Sequence, residues 1–135
     1  MEPFDLRQWL SLPALPPIII DNVSIDSRTI HGNRTLFVAL RGHRGDGHSF
    51  VEHALRSGAV CALVCKGYSA PDGVREDQLI RVDSPLEALQ DLARAYRSTL
   101  TDLRLIAVTG SSGKTMLKDL LGQLFCDPLV YTSPE

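Results

Sequence analysis

The segment "TGSSGKT", Thr109 to Thr115, holds the residue types that grip a phosphate. Gly110 and Gly113 allow backbone geometry closed to residues with a Cβ, so several N–H groups can converge on one anion. Lys114 adds a point charge for terminal phosphates, and the Thr115 hydroxyl is placed to ligate Mg²⁺. The generic pattern G-x-x-x-x-G-K-[ST] puts its first glycine where this chain has Val108, so the match is to a shorter form, T-G-x-x-G-K-T. A Gly-Ser turn with a solvated lysine is the plain alternative.

Such a loop works only between a strand and a helix, whose N-terminal dipole end faces the anion. The sequence supplies both: "RLIAV" predicts a strand, and Leu117, Leu120, Leu121 and Leu124 recur at helical spacing in "TMLKDLLGQLF". A further strand is expected at "LVY". Upstream, Phe4, Leu6, Trp9 and Leu10 suggest a short leading helix stopped by Pro13, and Val23 alternating with Ile25 suggests a strand. "TLFVAL", "AVCALV" and "LIRV" read as buried strands.

Gly42, Gly45 and Gly47 mark a loop after "TLFVAL". Ser49 and Glu52 form an S-x-x-E capping box for a helix that Gly58 ends, and Ser84, Pro85 and Glu87 open another. In the latter, Leu86, Leu89, Leu92, Ala93 and Tyr96 predict one buried side. Alternating strands and helices argue α/β, with a largely parallel or mixed sheet.

Bulk properties narrow the class. A content of 44% hydrophobic and 22% charged residues is that of a globular chain able to bury a core, and a net charge of −2 gives little pull toward nucleic acid or membrane. The apolar runs fall well short of the roughly 20 residues a membrane span needs. The N-terminus lacks a secretory pattern. Cys61, Cys65 and Cys126 lack zinc-type pairing, which points to reduced thiols in a cytoplasmic protein. His48 and His53 are five residues apart, off the spacing that puts two imidazoles on one helical face for a metal. His31 reads as a loop residue, and Trp9 and Tyr96 as packing residues.

The segments "DSRTI", "TLFVALRGHRGDGHSFVEHALRSGA" and "GSSGKT", in that order, resemble the Mur ligases, the ATP-dependent amide-bond-forming enzymes of peptidoglycan synthesis. Within that family the serine pair of "GSSGKT" and the "DGH" look most like the enzyme joining D-alanyl-D-alanine to UDP-N-acetylmuramoyl-tripeptide through an acyl phosphate. The ligase adding the preceding, third amino acid is the alternative, as is a non-catalytic nucleotide-sugar-binding module. Family members are longer, so the resemblance implies a small N-terminal mixed-sheet α/β domain over residues 1–100 that binds the UDP-substrate. Residues 101–135 would then be the first β-loop-α unit of a P-loop ATPase domain.

Carried over by position, the resemblance places Ile25, Ser27, Arg28, His43, Arg44 and Gly45 around the UDP part of the substrate. Gly110, Ser111, Ser112, Gly113, Lys114, Thr115 and Met116 fall to ATP, with Lys114 and Thr115 catalytic and Thr115 the Mg²⁺ ligand. A basic, Gly-rich loop offers N–H groups and a guanidinium to a diphosphate, and Ser27 can hydrogen-bond a uracil edge. Arg28 has a competing use, pairing with Asp26 or Asp46. Asp46 reads as a turn or helix-start residue rather than a base. An unrelated small P-loop NTPase would need an acidic strand end for Mg²⁺, for which only Asp83 offers itself.

Overall fold

Continuous apolar runs in the two central strands give a sheet buried on both faces. The computed structural model describes residues 3–6, 10, 17–30, 32–42, 45–125 and 131–132. The chain separates into two compact units, Met1–Thr101 and Asp102–Glu135.

In the first unit, strands β1 (Phe4–Asp5) and β2 (Ile19–Ile20) form a short antiparallel ladder. Strands β3 (Asn22–Ser24), β4 (Thr35–Val38), β7 (Ala59–Cys65) and β8 (Leu79–Val82) form a four-stranded sheet in that spatial order, every pair parallel. Between β4 and β7 lie an antiparallel hairpin, β5 (Arg41–Gly42) with β6 (Gly45–Asp46), a 3-10 turn Gly47–Phe50 and helix α1 (Val51–Arg56). Helix α2 (Pro85–Thr99) follows β8.

Side chains two apart on a strand share a face, and the core obeys that rule. Phe37 and Ala39 with Ala62, Val64 and Leu79 pack beneath Val51 and Ala54 of α1. Leu36 and Val38 with Cys61, Leu63 and Ile80 face Leu92 of α2, together with Leu6, Ile18 and Ile20. Burial pushes the Cys61 thiol up to about 12, so it behaves as a small apolar residue.

Several expectations change. The main sheet is parallel rather than mixed; the antiparallel pairs stand apart from it. Phe4 and Asp5, expected to open the leading helix, pair with Ile20 and Ile19, because β2 offers their backbone a partner, while Leu6 and Leu10 are helical as read. The capping box at Ser49 and Glu52 does not form. Asp46 caps first, accepting the His48 N–H, and the chain enters α1 through the 3-10 turn. In α2 the Ser84 cap forms as read, accepting the Glu87 N–H, but only Leu92 is fully buried. Leu86 and Ala93 are exposed because the covered stripe, with Ala88 and Leu89 at its edge, is narrower than the sequence periodicity.

In the second unit, helix α3 (Lys114–Leu124) forms. Residues 104–108, expected as a strand, are in no strand or helix. A strand exists by pairing, and among the described residues none pairs with this one. Of the expected strand "LVY", residues 129 and 130 lie outside the described residues and Tyr131 is in no strand. Trp9, His31 and Cys126 also lie outside them. Tyr96 packs on Phe4, ring centroids 5.8 Å apart. No helix among the described residues is long and apolar enough to cross a membrane.

Candidate functional site

Strand β3 ends where Ser24 turns its hydroxyl onto the following backbone. Its Oγ accepts the Asp26 N–H at 3.0 Å and lies 2.9 Å from both the Asp26 carbonyl and the Thr29 hydroxyl. Such local side-chain bonds compete with a strand ladder, so the chain leaves β3 one residue before Ile25 and enters a 3-10 turn, Ser27–Thr29. Ser27 is buried, whereas Ile25 is 61% exposed, an apolar side chain held in solvent.

Arg28 takes the structural alternative. Its Nε and Nη2 donate to the two oxygens of Asp26, at 2.9 and 2.7 Å, and Asp26 Oδ1 also accepts the Arg28 N–H at 3.0 Å. The guanidinium pairing, with that backbone bond second, lowers the Asp26 carboxyl from 3.8 to about 2. A depressed carboxylate stabilises the fold above its unfolded value and ceases to do so as pH falls through its folded one. The turn should therefore hold at pH 4 and above and loosen as pH falls through about 2. An NMR titration of the Asp26 carboxyl carbon should give a midpoint near 2, and Arg28→Gln should move it up toward 3.8. A midpoint of 3.8 in the unaltered chain would refute the pairing.

Strand β4 runs parallel beside β3, Ser24 opposite Phe37, so the chain after each leaves from the same, C-terminal end of the sheet. Beyond the C-terminal ends of parallel strands is the place where α/β sheets bind ligands. After β4 comes the β5–β6 hairpin. Gly42 and Gly45 are exposed, while His43 and Arg44, between them in sequence, lie outside the described residues. The base of the hairpin is tight: the Gly47 N–H donates to the Leu40 carbonyl at 2.8 Å. Asp46 accepts from the Arg41 Nε at 3.2 Å and lies 2.6 Å from His48 Nδ1. The backbone and ring N–H groups of His48 hold the Asp46 carboxyl below its usual range. Ala39, Leu40, Arg41, His48 and the first residues of α2, Ser84 to Leu86, line a hollow of about 260 Å³.

His48 is buried and its importance was not legible from its spacing to His53. Among the described residues no group of three or more His, Cys, Asp or Glu could hold a metal ion. Asp83 pairs with Lys66 at 2.7 Å within the first unit.

In the second unit Gly110 and Gly113 have φ of +150° and +78°. Gly113, left-handed, is the N-cap of α3 and brings no side chain to the first-turn N–H groups. Those groups and the exposed Ser111, Ser112, Lys114 and Thr115 suit an anion. The Lys114 ammonium donates to the Gly110 carbonyl, and Met116 is 76% exposed. The donor set fits a nucleotide phosphate with its Mg²⁺ at Thr115, since glycine at both bends leaves the backbone open.

The parallel sheet of the first unit, covered by α1 on one face and α2 on the other, is an α/β fold. Residues 19–97 match the family described as "Mur ligase family, catalytic domain", and the chain belongs to the Mur ligase family. It is 41% identical over 116 residues to the UDP-N-acetylmuramoyl-tripeptide--D-alanyl-D-alanine ligase of Bacillus subtilis (strain 168), covering 86% of this chain and 24% of that protein. A second relative, the UDP-N-acetylmuramoyl-L-alanyl-D-glutamate--2,6-diaminopimelate ligase of Vibrio parahaemolyticus, is 33% identical, with 87% of this chain and 24% of that protein covered. A crystal structure of MurF from Acinetobacter baumannii superposes with a TM-score of 0.75 at 30% identity, over 93% of this chain and 28% of that one. MurF from Thermotoga maritima in complex with ADP gives 0.58 at 33% identity, over 78% and 23%. The chain thus spans about a quarter of the length of these relatives.

Proposed function

We propose that the chain serves an ATP-dependent ligase of peptidoglycan precursor synthesis that joins D-alanyl-D-alanine to UDP-N-acetylmuramoyl-tripeptide through an acyl phosphate. Residues 1–100 bind the uridine diphosphate part of the substrate, and residues 101–135 open the ATP-binding domain with its phosphate loop and following helix. One observation carries the reading: the chain from Ile25 to Ser27 and the glycine-rich hairpin follow neighbouring parallel strands at the same, C-terminal end of the sheet. There the exposed Ile25 offers an apolar surface to a base, Ser27 a hydrogen bond to its edge, and Gly45 with His43 and Arg44 donors to a diphosphate. Arg28 acts on that site by shaping the turn through Asp26.

Around ATP, bound Mg²⁺ would neutralise charge on the transferred phosphoryl group. The chain's own part is the N–H groups of Gly110 to Met116 that hold the phosphates, the Lys114 charge beside them, and the Thr115 hydroxyl that ligates the ion. One loop and helix cannot enclose a nucleotide, so ATP binding by these 135 residues should be weak and ligase turnover absent. The competing reading, a ligase adding the third amino acid, has the Vibrio similarity in its favour.

Calorimetric titration with UDP, UDP-N-acetylmuramic acid and ATP tests the proposal. Binding of both uridine ligands, with ATP at least about tenfold weaker, is the expected order. Tight ATP binding with no uridine binding would overturn it in favour of a small P-loop NTPase. Discrimination between the two ligases follows from which UDP-peptide is bound, the tripeptide or the dipeptide.

A further inference from the structure

We propose that His48, a residue with no part in the reading above, is the positioning residue of the anion-binding hairpin. The inference rests on that hairpin's assignment to the diphosphate.

The imidazole is 8% exposed and both ring nitrogens are engaged. Nε2 accepts the Cys65 N–H at 3.1 Å, a contact between residues 17 apart in sequence. An acceptor there cannot carry a proton, so in the neutral ring the proton is on Nδ1 and donates to Asp46 Oδ1 at 2.6 Å. The same carboxylate accepts the His48 N–H at 3.0 Å and, through Oδ2, the Arg41 Nε at 3.2 Å. Tyr68 lies against the imidazole with ring centroids 5.4 Å apart.

The chain of bonds therefore runs from the end of a central strand, β7, through one buried ring to Asp46 on β6, and from there to Arg41 on β5. Besides the Gly47 N–H to Leu40 carbonyl bond at its base, the exposed two-residue ladder is tied to the core through this one side chain. A ladder of two pairs is too short to hold itself in water. Without the imidazole, the exposed backbone at Gly42 and Gly45 keeps its sequence but loses its fixed aim. Binding energy that depends on fixed N–H groups falls when those groups must be ordered at the moment of binding.

Two substitutions divide the two ring nitrogens between them. In His48→Gln the amide oxygen falls where Nε2 was and can still accept the Cys65 N–H, but nothing reaches Asp46. In His48→Asn the amide nitrogen falls where Nδ1 was and can still donate to Asp46, while Cys65 loses its acceptor. The readout is the ratio of UDP affinity to uridine affinity, measured by calorimetry on the 135-residue chain, with thermal unfolding recorded alongside. That ratio isolates what the hairpin adds.

The expected result is a fall of about fivefold or more in the ratio for His48→Gln, with uridine affinity changed less than about twofold, as one charge-assisted bond is lost. His48→Asn should keep the ratio within about twofold while melting at a lower temperature. Should His48→Gln fail to fold, Asp46→Ala, which keeps the ring on Cys65, is expected to show the same loss. A ratio left intact in His48→Gln, or in Asp46→Ala, overturns the inference while leaving uridine binding standing. An unaltered chain that binds UDP no better than uridine overturns the hairpin's role itself.

Discussion

Gly47→Ala should lower stability by about 1–3 kcal/mol and weaken UDP binding by about tenfold, because the added carbon has nowhere to go. A Cβ at position 47 would lie 2.7 Å from the Leu40 carbonyl oxygen and 2.8 Å from its nitrogen. Both are backbone atoms that cannot swing aside as a side-chain tip would. The contact also coincides with the Gly47 N–H to Leu40 carbonyl bond that closes the hairpin base. Relief must come from opening that base, which moves Asp46 and the strand before it. Gly45→Ala is the internal control, since its Cβ would meet nothing within 4 Å. Its melting temperature should stay within the range of an ordinary surface change, about 0.5 kcal/mol. Equal stability of the two variants, by denaturant unfolding, would remove the steric reading.

Phe37→Ala should cost more, about 3–5 kcal/mol, the usual loss for deleting a fully buried ring. Phe37 is wholly buried beneath α1, where Val51 and Ala54 of that helix join Ala62 and Val64 of β7. None of these small and β-branched neighbours can extend into the space a phenyl ring vacates, so the cavity persists. For a domain whose whole stability is about 5–15 kcal/mol, the loss is a large share. A drop of about 15 °C or more in melting temperature is expected. Met116→Ala, at a side chain 76% exposed, should leave the same melting curve almost unmoved. A Phe37→Ala protein that melts within a few degrees of the unaltered chain would mean that α1 does not cover this face.

What the sequence disclosed followed from how local each signal is. The strands β4 and β7 were legible because short continuous apolar runs have few other uses, and the start of α2 because Ser84, Pro85 and Glu87 each act within one turn. The hairpin was not: a polar, glycine-rich stretch reads as a loop unless the partner N–H and C=O groups are known. His48 was passed over for a related reason. Its acceptor role depends on the Cys65 N–H, far along the chain, and nothing in "DGHSF" reveals that the end of β7 needs a partner. Asp46 was partly legible, since a turn or helix-start role needs only its neighbour's N–H. For residues 104–108 the apolar pattern promised a strand that pattern alone cannot make, because pairing belongs to two segments. At the substrate site, the alternation of Val23 and Ile25 promised a strand through Ile25, whereas the chain leaves β3 at Ser24 and turns. The pairing of Arg28 was legible as one of two options, Asp26 or the distant Asp46, and it is the near carboxylate that takes the guanidinium.

A two-dimensional NMR titration of the isotopically labelled chain with UDP is the most direct trial of a uridine diphosphate site at the ends of β3 and β4. Amide signals of Ile25, Ser27, Gly42 and Gly45 should move together and saturate, while those of residues 110–116 stay in place. Shifts confined to the Gly110–Met116 loop, or spread over the outer face of α2 with Ile25 and Gly45 unmoved, would contradict it.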